Sequence, residues 1–374
     1  MDLRTGLGWA LLARGRTARA LWRLLAATGR RPESVLALSL PEAVALAEEP
    51  AAIVAPLLSP GAVPGVDEQE RRLRASGARL LGIGEPGYPA LLVETPDPPP
   101  VLFVRGQLPP PGPMVAVVGS RRASRTGLEA ARVISRGLAA AGVTVVSGFA
   151  RGVDGAAHRA ALEAGGSTVA VLGCGVDVCY PPEHEPLLPG LLARGAVLSE
   201  LPMGAPPLAP HFPVRNRIIA GMVPLVLVVE AAERSGSLVT ARLAAELGRD
   251  VAAVPGSVLS PGAAGSNALL KDGAILVRDA DDVLAELPGL SPLPAGEPPA
   301  SGTHALAARA GALGGDAEAV FSALDPDDPL DADALVGATG LPAARLSAAL
   351  VLLELEGLAE ALPGAVFVRR RDKT

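Results

Sequence analysis

Apolar residues recur at two different spacings along this chain. Through residues 1 to about 75, Leu11, Leu12, Leu21, Leu24 and Leu25 fall at helical intervals with arginines on the other face. That pattern predicts a helical N-terminal segment. From Val115 the rhythm changes to short β-branched runs: Val115–Val118, Val143–Val146, Thr168–Leu172, Ala196–Leu198, Leu225–Val229, Val251–Val254 and Ala274–Val277. Between them lie Ala-rich segments of helical period, such as Gly127–Ala141, Gly155–Ala164 and Ser237–Gly248. Strand and helix in alternation predict a parallel sheet covered on both faces. After the Pro/Gly-rich stretch Leu287–Gly302 come three helical patterns, Ala317–Leu324, Ala332–Thr339 and Pro342–Glu356. A hairpin over Leu358–Val368, turning at Pro363-Gly364, completes a winged-helix-like pattern.

These rhythms predict an α/β chain with a parallel-sheet core, a helical N-terminal domain and a C-terminal winged-helix domain. The boundaries fall at 1–75, 76–286 (core), 287–314 (linker) and 315–374.

Ligands of an open parallel sheet sit beyond the carboxyl ends of its strands, so the residues that follow each run carry the chemistry. The first run leads to Gly119-Ser120-Arg121-Arg122 and the second to Ser147-Gly148-Phe149-Ala150-Arg151-Gly152. Gly173-Cys174-Gly175 and Tyr180-Pro181 follow the third. Phe212-Pro213-Val214-Arg215-Asn216-Arg217 and Ser235-Gly236-Ser237 follow later ones. Glycine, hydroxyl and arginine recur along one edge. Bare amides at helix starts bind anions, and the arginine fork grips phosphate. Three of the nine aromatic residues, Phe149, Tyr180 and Phe212, lie in these loops. A ring beside cations suits the exposed bases of a single strand. Phe212 is the best stacking candidate, while Phe149 and Tyr180 are equally placed to plug their loops into the core. Asp154 and His158 stand four apart on one helix face. Asp154 is expected to cap that helix, and His158 to anchor it to a neighbouring loop.

Several chemistries are absent. There is no P-loop, no complete G-x-G-x-x-G and no acidic residue placed for a nicotinamide ribose. Cys174 and Cys179 are too few for a disulfide framework, and no Cys/His cluster has zinc spacing. No catalytic constellation can be assembled, so neither cofactor nor metal is expected, and binding is expected rather than turnover. No apolar run is long enough to cross a bilayer, and a reducing, cytoplasmic setting is expected. The net charge of −6 argues against a nucleic-acid partner only on average. Residues 115–220 hold ten Arg against seven Asp and Glu, or +3. Residues 315–374 hold five Lys and Arg against eleven Asp and Glu, or −6. Binding follows the local field.

Taken in order, these loops resemble the DprA/Smf family of DNA-processing proteins. The resemblance rests on Val117-Val118-Gly119-Ser120-Arg121, Ser147 through His158, Leu172-Gly173-Cys174-Gly175-Val176-Asp177 with Tyr180-Pro181, and Phe212-Pro213-Val214-Arg215-Asn216-Arg217. Ser235-Gly236-Ser237, Pro255-Gly256-Ser257 and Gly265-Ser266-Asn267 continue it, and Tyr88-Pro89 with Pro99 through Phe103 lie upstream.

The resemblance implies an extended Rossmann fold that binds single-stranded DNA in a positive pocket, forms a homodimer and loads the RecA recombinase during natural transformation. It also implies a sterile-alpha or helix-hairpin-helix-like N-terminal domain and a winged helix at the C-terminus. By motif position Arg121 would grip phosphate with Arg122 in support, and Phe212, Arg215 and Arg217 would shape the remaining wall. Gly119, Ser120, Ser147, Gly148, Phe149, Gly173, Asn216, Ser235 and Gly236 complete the expected DNA-binding set. Two departures stand out. Pro182-Glu183-His184, after Tyr180-Pro181, offers no reliably charged base, and Leu208-Ala209-Pro210 lacks lysine. The third C-terminal helix has only Arg345 against Glu354 and Glu356, whereas a groove-reading helix is basic, so a protein-facing role is expected for it.

Competing readings are a nucleoside-monophosphate hydrolase of the lysine-decarboxylase-like Rossmann group, or a plain nucleotide sensor. For the hydrolase, Ser235 through Thr240 occupies a comparable place but has no adjacent catalytic glutamate.

Overall fold

The computed structural model describes residues 1–13, 15–287, 306, 309–325, 329–362 and 366–370. The chain divides into two compact units, Met1–Pro292 and Leu293–Thr374. The expected linker 287–314 lies largely outside the described residues, as does the turn at Pro363-Gly364.

The first unit is built on a nine-stranded sheet. Its strands are β1 (Arg79–Gly82), β2 (Val101–Gly106), β3 (Met114–Val118), β4 (Thr144–Ser147), β5 (Thr168–Val171), β6 (Ala196–Ser199), β7 (Leu225–Val228), β8 (Asp250–Ala253) and β9 (Ile275–Leu276). Their order in space is β1-β2-β6-β5-β4-β3-β7-β8-β9. From β6 to β9 every pair is parallel. The sheet is not wholly parallel, however: β1 and β2 add an antiparallel edge beyond β6. Sequence periodicity passed over these two strands because they are separated by a Pro-rich connection and are not followed by crossover helices.

Chain order runs outward from β3 in both directions, through β4, β5 and β6 on one side and β7, β8 and β9 on the other. The topological switch point therefore lies between β3 and β7, where an open α/β sheet has its ligand crevice. The runs of β3 to β7 are buried on both faces, as a sheet covered twice requires, while the edge strand β9 leaves Leu276 half exposed. Within β3, Ala116 and Val118 pack into one core layer while Val115 and Val117 pack into the opposite one. Helices Arg125–Ala140 and Val153–Glu163 supply the second layer.

Among the described residues six α-helices precede β1, the last being Val66–Ser76. Their Trp9, Leu21, Leu24 and Leu25 share a cluster with Leu81, Val101 and Ile218 of the sheet region. Trp9 donates its indole N–H to the Leu57 carbonyl at 2.9 Å. The helical segment and the sheet thus form one continuous core rather than separate ones.

In the second unit, helices Gly315–Ala323, Ala332–Thr339 and Ala343–Leu355 pack around Phe321, Leu335, Leu346 and Leu353. A three-stranded sheet joins them, with β12 (Val366–Arg369) between β10 (Leu330–Asp331) and β11 (Ala359–Leu362). This is a winged-helix arrangement in which the expected hairpin gains a short third strand. Among the described residues, no single helix is long and apolar enough to cross a membrane.

Candidate nucleic-acid interface

A cleft of about 630 Å³ opens at the switch point. Gly119, Ser120, Arg121 and Arg122 form one wall, after β3. Ser235, Gly236 and Ser237 form the opposite wall, after β7. Tyr180, Phe212, Pro213 and Asn216 close the end. The two walls are stitched at their base: Val229 N–H donates to the Val118 carbonyl at 3.0 Å, and Ser120 N–H donates to the Glu230 carbonyl at 2.7 Å.

Glu230 fixes the first wall. Its buried carboxylate accepts from the Ser124 N–H at 3.0 Å and from the Ser124 hydroxyl. Ser124 in turn caps helix Arg125–Ala140 by accepting from Gly127 N–H at 3.0 Å. The Gly119–Ala123 turn is thereby held between two fixed points. Gly152 adds a steric requirement. It has φ +76°, and a Cβ there would stand 2.1 Å from the Ser120 carbonyl oxygen, so only glycine allows the second loop to lie on the first.

Arg121 and Arg122 are exposed on this wall and make no ion pair among the described residues. The Arg121 guanidinium sits 5.2 Å from the Phe212 ring centroid, within cation–π range. Phe212 lies beside Tyr180, with centroids 5.8 Å apart and planes at 38°. Tyr180 is 36% exposed and Phe212 partly so, so the two rings form an accessible shelf under the cation. On the opposite wall Ser235 caps helix Gly236–Glu246 by accepting from Ser237 N–H at 3.3 Å, and Ser235, Gly236 and Ser237 line the cleft. Asn216 donates to the Gly236 carbonyl at 3.4 Å, tying the two sides together.

The remaining expected residues take different places. Phe149 is fully buried and stands at φ +59°. Its ring packs edge-on against His184 at 5.0 Å, so it anchors the loop and offers no face to a base. Arg215 is a correction. It is only 4% exposed and donates to the Gly148 carbonyl at 2.5 Å and to the Val171 carbonyl. Burial pulls its pKa down to about 10. Helix His211–Met222 turns this side chain inward, under the Gly148 loop, where it touches the cleft from below and cannot serve as an exposed wall.

Arg217 is a second correction. It points to the other side of the same helix, into a groove lined by Trp22, Asp97 and Glu200. There its Nε lies 3.2 Å from Asp97, and it also binds Glu200. Desolvation raises the Glu200 pKa, which the Arg217 charge opposes. Two residues apart on a helix lie on opposite faces, so Arg215 and Arg217 could not share a wall. Arg151, on the rim, is also occupied, by Glu183 at 3.0 Å.

Asp154 is not the N-cap; Gly152 holds that position. Asp154 is buried in the first turn and accepts from Gly148 N–H at 3.1 Å and Ala150 N–H at 3.2 Å. Burial raises its pKa against the opposing pull of Arg215. The Gly148 peptide is therefore held at both ends, its N–H by Asp154 and its carbonyl by Arg215. His158 packs against both the neighbouring loop and the sheet, its ring 5.8 Å from that of Phe149 and its Nδ1 2.6 Å from the Thr168 hydroxyl. That hydroxyl donates to Val145 O at 2.7 Å, so His158 Nδ1 is the protonated nitrogen. Burial drops the His158 pKa to about 3, leaving the ring neutral. Ser147 is likewise structural, donating to the Val117 carbonyl at 2.6 Å. Gly173 lets Phe212 approach, since a Cβ there would stand 2.8 Å from the ring.

Sequence reasoning left Tyr180, Ser237 and Thr240 outside the expected set, although all three line the cleft. Among the described residues no cluster of His, Cys, Asp and Glu could hold a metal.

Comparison with known families decides the relationship. The family described as DNA recombination-mediator protein A matches residues 79–288, and the DprA winged helix domain matches residues 304–365. The chain belongs to the DprA family of DNA recombination mediators. Its core strands and cleft fall inside the first match, and the three helices of the C-terminal unit with β10 and β11 fall inside the second. It is 44% identical to the protein Smf of Escherichia coli over 287 residues, covering 76% of this chain and 75% of that one. It is 48% identical to the DNA processing protein DprA of Streptococcus pneumoniae over 200 residues, covering 53% and 71% respectively. The crystal structure of the S. pneumoniae DprA superposes with a TM-score of 0.65 at 36% identity, covering 75% of this chain and 96% of that one. A DNA-processing, recombination-mediator role follows from membership of the DprA family.

Proposed function

We propose that the switch-point cleft holds single-stranded DNA, and that the chain, as a homodimer, passes the strand to the RecA recombinase without turning it over. One observation carries this reading. The exposed charges of the cleft are Arg121 and Arg122, without ion pairs among the described residues, beside an accessible Tyr180–Phe212 shelf and across from the N-terminus of helix Gly236–Glu246. Cations and amides suit phosphates, and a ring shelf suits bases that no partner strand covers. A duplex keeps its bases stacked inward and would leave the shelf unused.

The test is fluorescence anisotropy with single- and double-stranded oligonucleotides and with mononucleotides. The expected order is single strand tighter than duplex, with no hydrolysis of nucleoside monophosphates. Equal affinity for both forms, or nucleotide turnover, would overturn the reading. Adding RecA and following filament growth on the bound strand tests the hand-over.

A further inference from the structure

Helix Ala343–Leu355 is the third helix of the winged-helix unit, the position from which such a module would read a groove. Its inner face buries Leu346, Ala349, Leu350 and Leu353. Its outer face carries Ala344, Ala348, Val351 and Leu355, all exposed, Val351 at 53% and Leu355 at 79%. The intervals between them are four, three and four residues, the a/d spacing of a coiled-coil seam. Exposed Leu352 flanks the seam. No cation lies on it, and Arg345, the helix's one basic residue, is held by Asp316 at 2.7 Å. The face therefore fits another helix and does not fit a phosphate backbone.

We propose that this seam pairs antiparallel with the same seam of a second copy of the chain. The sizes along it select both occupant and direction. Its N-terminal half is alanine and its C-terminal half is valine and leucine. About a two-fold axis between Ala348 and Val351, Ala344 meets Leu355 of the second copy and Ala348 meets its Val351. Small then faces large at every level, which keeps the helices evenly spaced. Parallel pairing would set leucine on leucine at one end and alanine on alanine at the other. In the antiparallel pair the two Glu354 residues stand nine positions apart, about 13 Å along the axis at 1.5 Å per residue, where salt largely screens their repulsion. A pair of helices this short is weak, so it is read by disulfide trapping, which accumulates pairs that form only transiently.

Disulfide trapping in the full chain tests this, with Cys174→Ser and Cys179→Ser removing the native thiols. Ala344→Cys and Leu355→Cys in one chain lie about 16 Å apart along the helix, beyond the reach of an internal disulfide. Mild oxidation of that double variant is expected to give a crosslinked dimer, as is a mixture of the two single variants. Each single variant alone is expected to stay uncrosslinked, and Val351→Glu added to the double variant should abolish the dimer. Crosslinking of Leu355→Cys alone would mean parallel pairing and would overturn the proposal, as would no crosslink in any sample. The assay contains no DNA, so its outcome does not depend on the reading of the cleft.

Discussion

Replacing Arg215 with methionine separates a clamp from a contact. The side chain is fully enclosed and its guanidinium serves the Gly148 and Val171 carbonyls while facing buried Asp154. Methionine fills similar volume but donates nothing. Two buried acceptors then lose their donor, at about 1–3 kcal/mol each, and the Asp154 carboxylate loses its cation. Breaking a buried charge pair from one side costs about 3–5 kcal/mol. At roughly 2–4 °C per kcal/mol for a unit of this class, the melting temperature should fall by on the order of 10 °C. Scanning calorimetry reads this directly. Arg121→Glu, on an exposed residue without ion pairs, should leave the melting temperature within about 1–2 °C, since surface changes stay within ±0.5 kcal/mol. Arg215→Lys should fall between, because an ammonium lacks the planar fork that reaches two carbonyls at once. If Arg215→Met kept the native melting temperature and lost only DNA affinity, Arg215 would be a ligand contact and the clamp would be refuted.

Other outcomes follow from the same geometry. Phe212→Ala should weaken single-strand binding by about 1–3 kcal/mol, the worth of one stacked base, with less effect on duplex in the same anisotropy titration. Gly173→Ala should also weaken binding, because its new methyl displaces the Phe212 ring; unchanged affinity would show that the ring's position is immaterial. His158→Asn keeps a donor toward Thr168 but cannot titrate. In the native chain His158 stays neutral down to about pH 3, whereas unfolded it takes a proton below about pH 6.5. Stability should therefore fall as pH drops below 6.5, by roughly 3 kcal/mol at pH 4.5. The asparagine variant should lack that share of the slope in urea titrations across this range, and an unaltered slope would refute it.

Much of this molecule was legible because strand–helix alternation and loop chemistry are local properties. Val115–Val118 announces a buried strand by composition, and Gly119-Ser120-Arg121-Arg122 declares a turn with cations whatever surrounds it. The position of the cleft followed from topology once β3 was recognised as the first parallel strand. Helical phase decided what was missed. Arg215 and Arg217 read alike as letters, yet 200° of helix rotation at 3.6 residues per turn puts one under the Gly148 loop and the other against Glu200 and Asp97. The carboxylates that neutralise Arg217 come from residues 17 and 120 positions away, a pairing no local pattern displays. Asp154 does accept backbone N–H groups, but those belong to the preceding loop because Gly152, at φ +76°, takes the cap. The β1–β2 edge was missed because its pairing is antiparallel and nonlocal.

The salt dependence of single-strand affinity for the native chain and for Arg121→Glu/Arg122→Glu tests the cleft most directly. Each phosphate contact contributes a slope of about −0.7 in log K against log salt. The native chain should show a clearly negative slope and the double variant a shallower one, by about 1.4 for two lost contacts, with a large loss of affinity at low salt and an unchanged melting temperature. Identical slopes and affinities for the two proteins would contradict a phosphate cradle at the β3–β7 switch point.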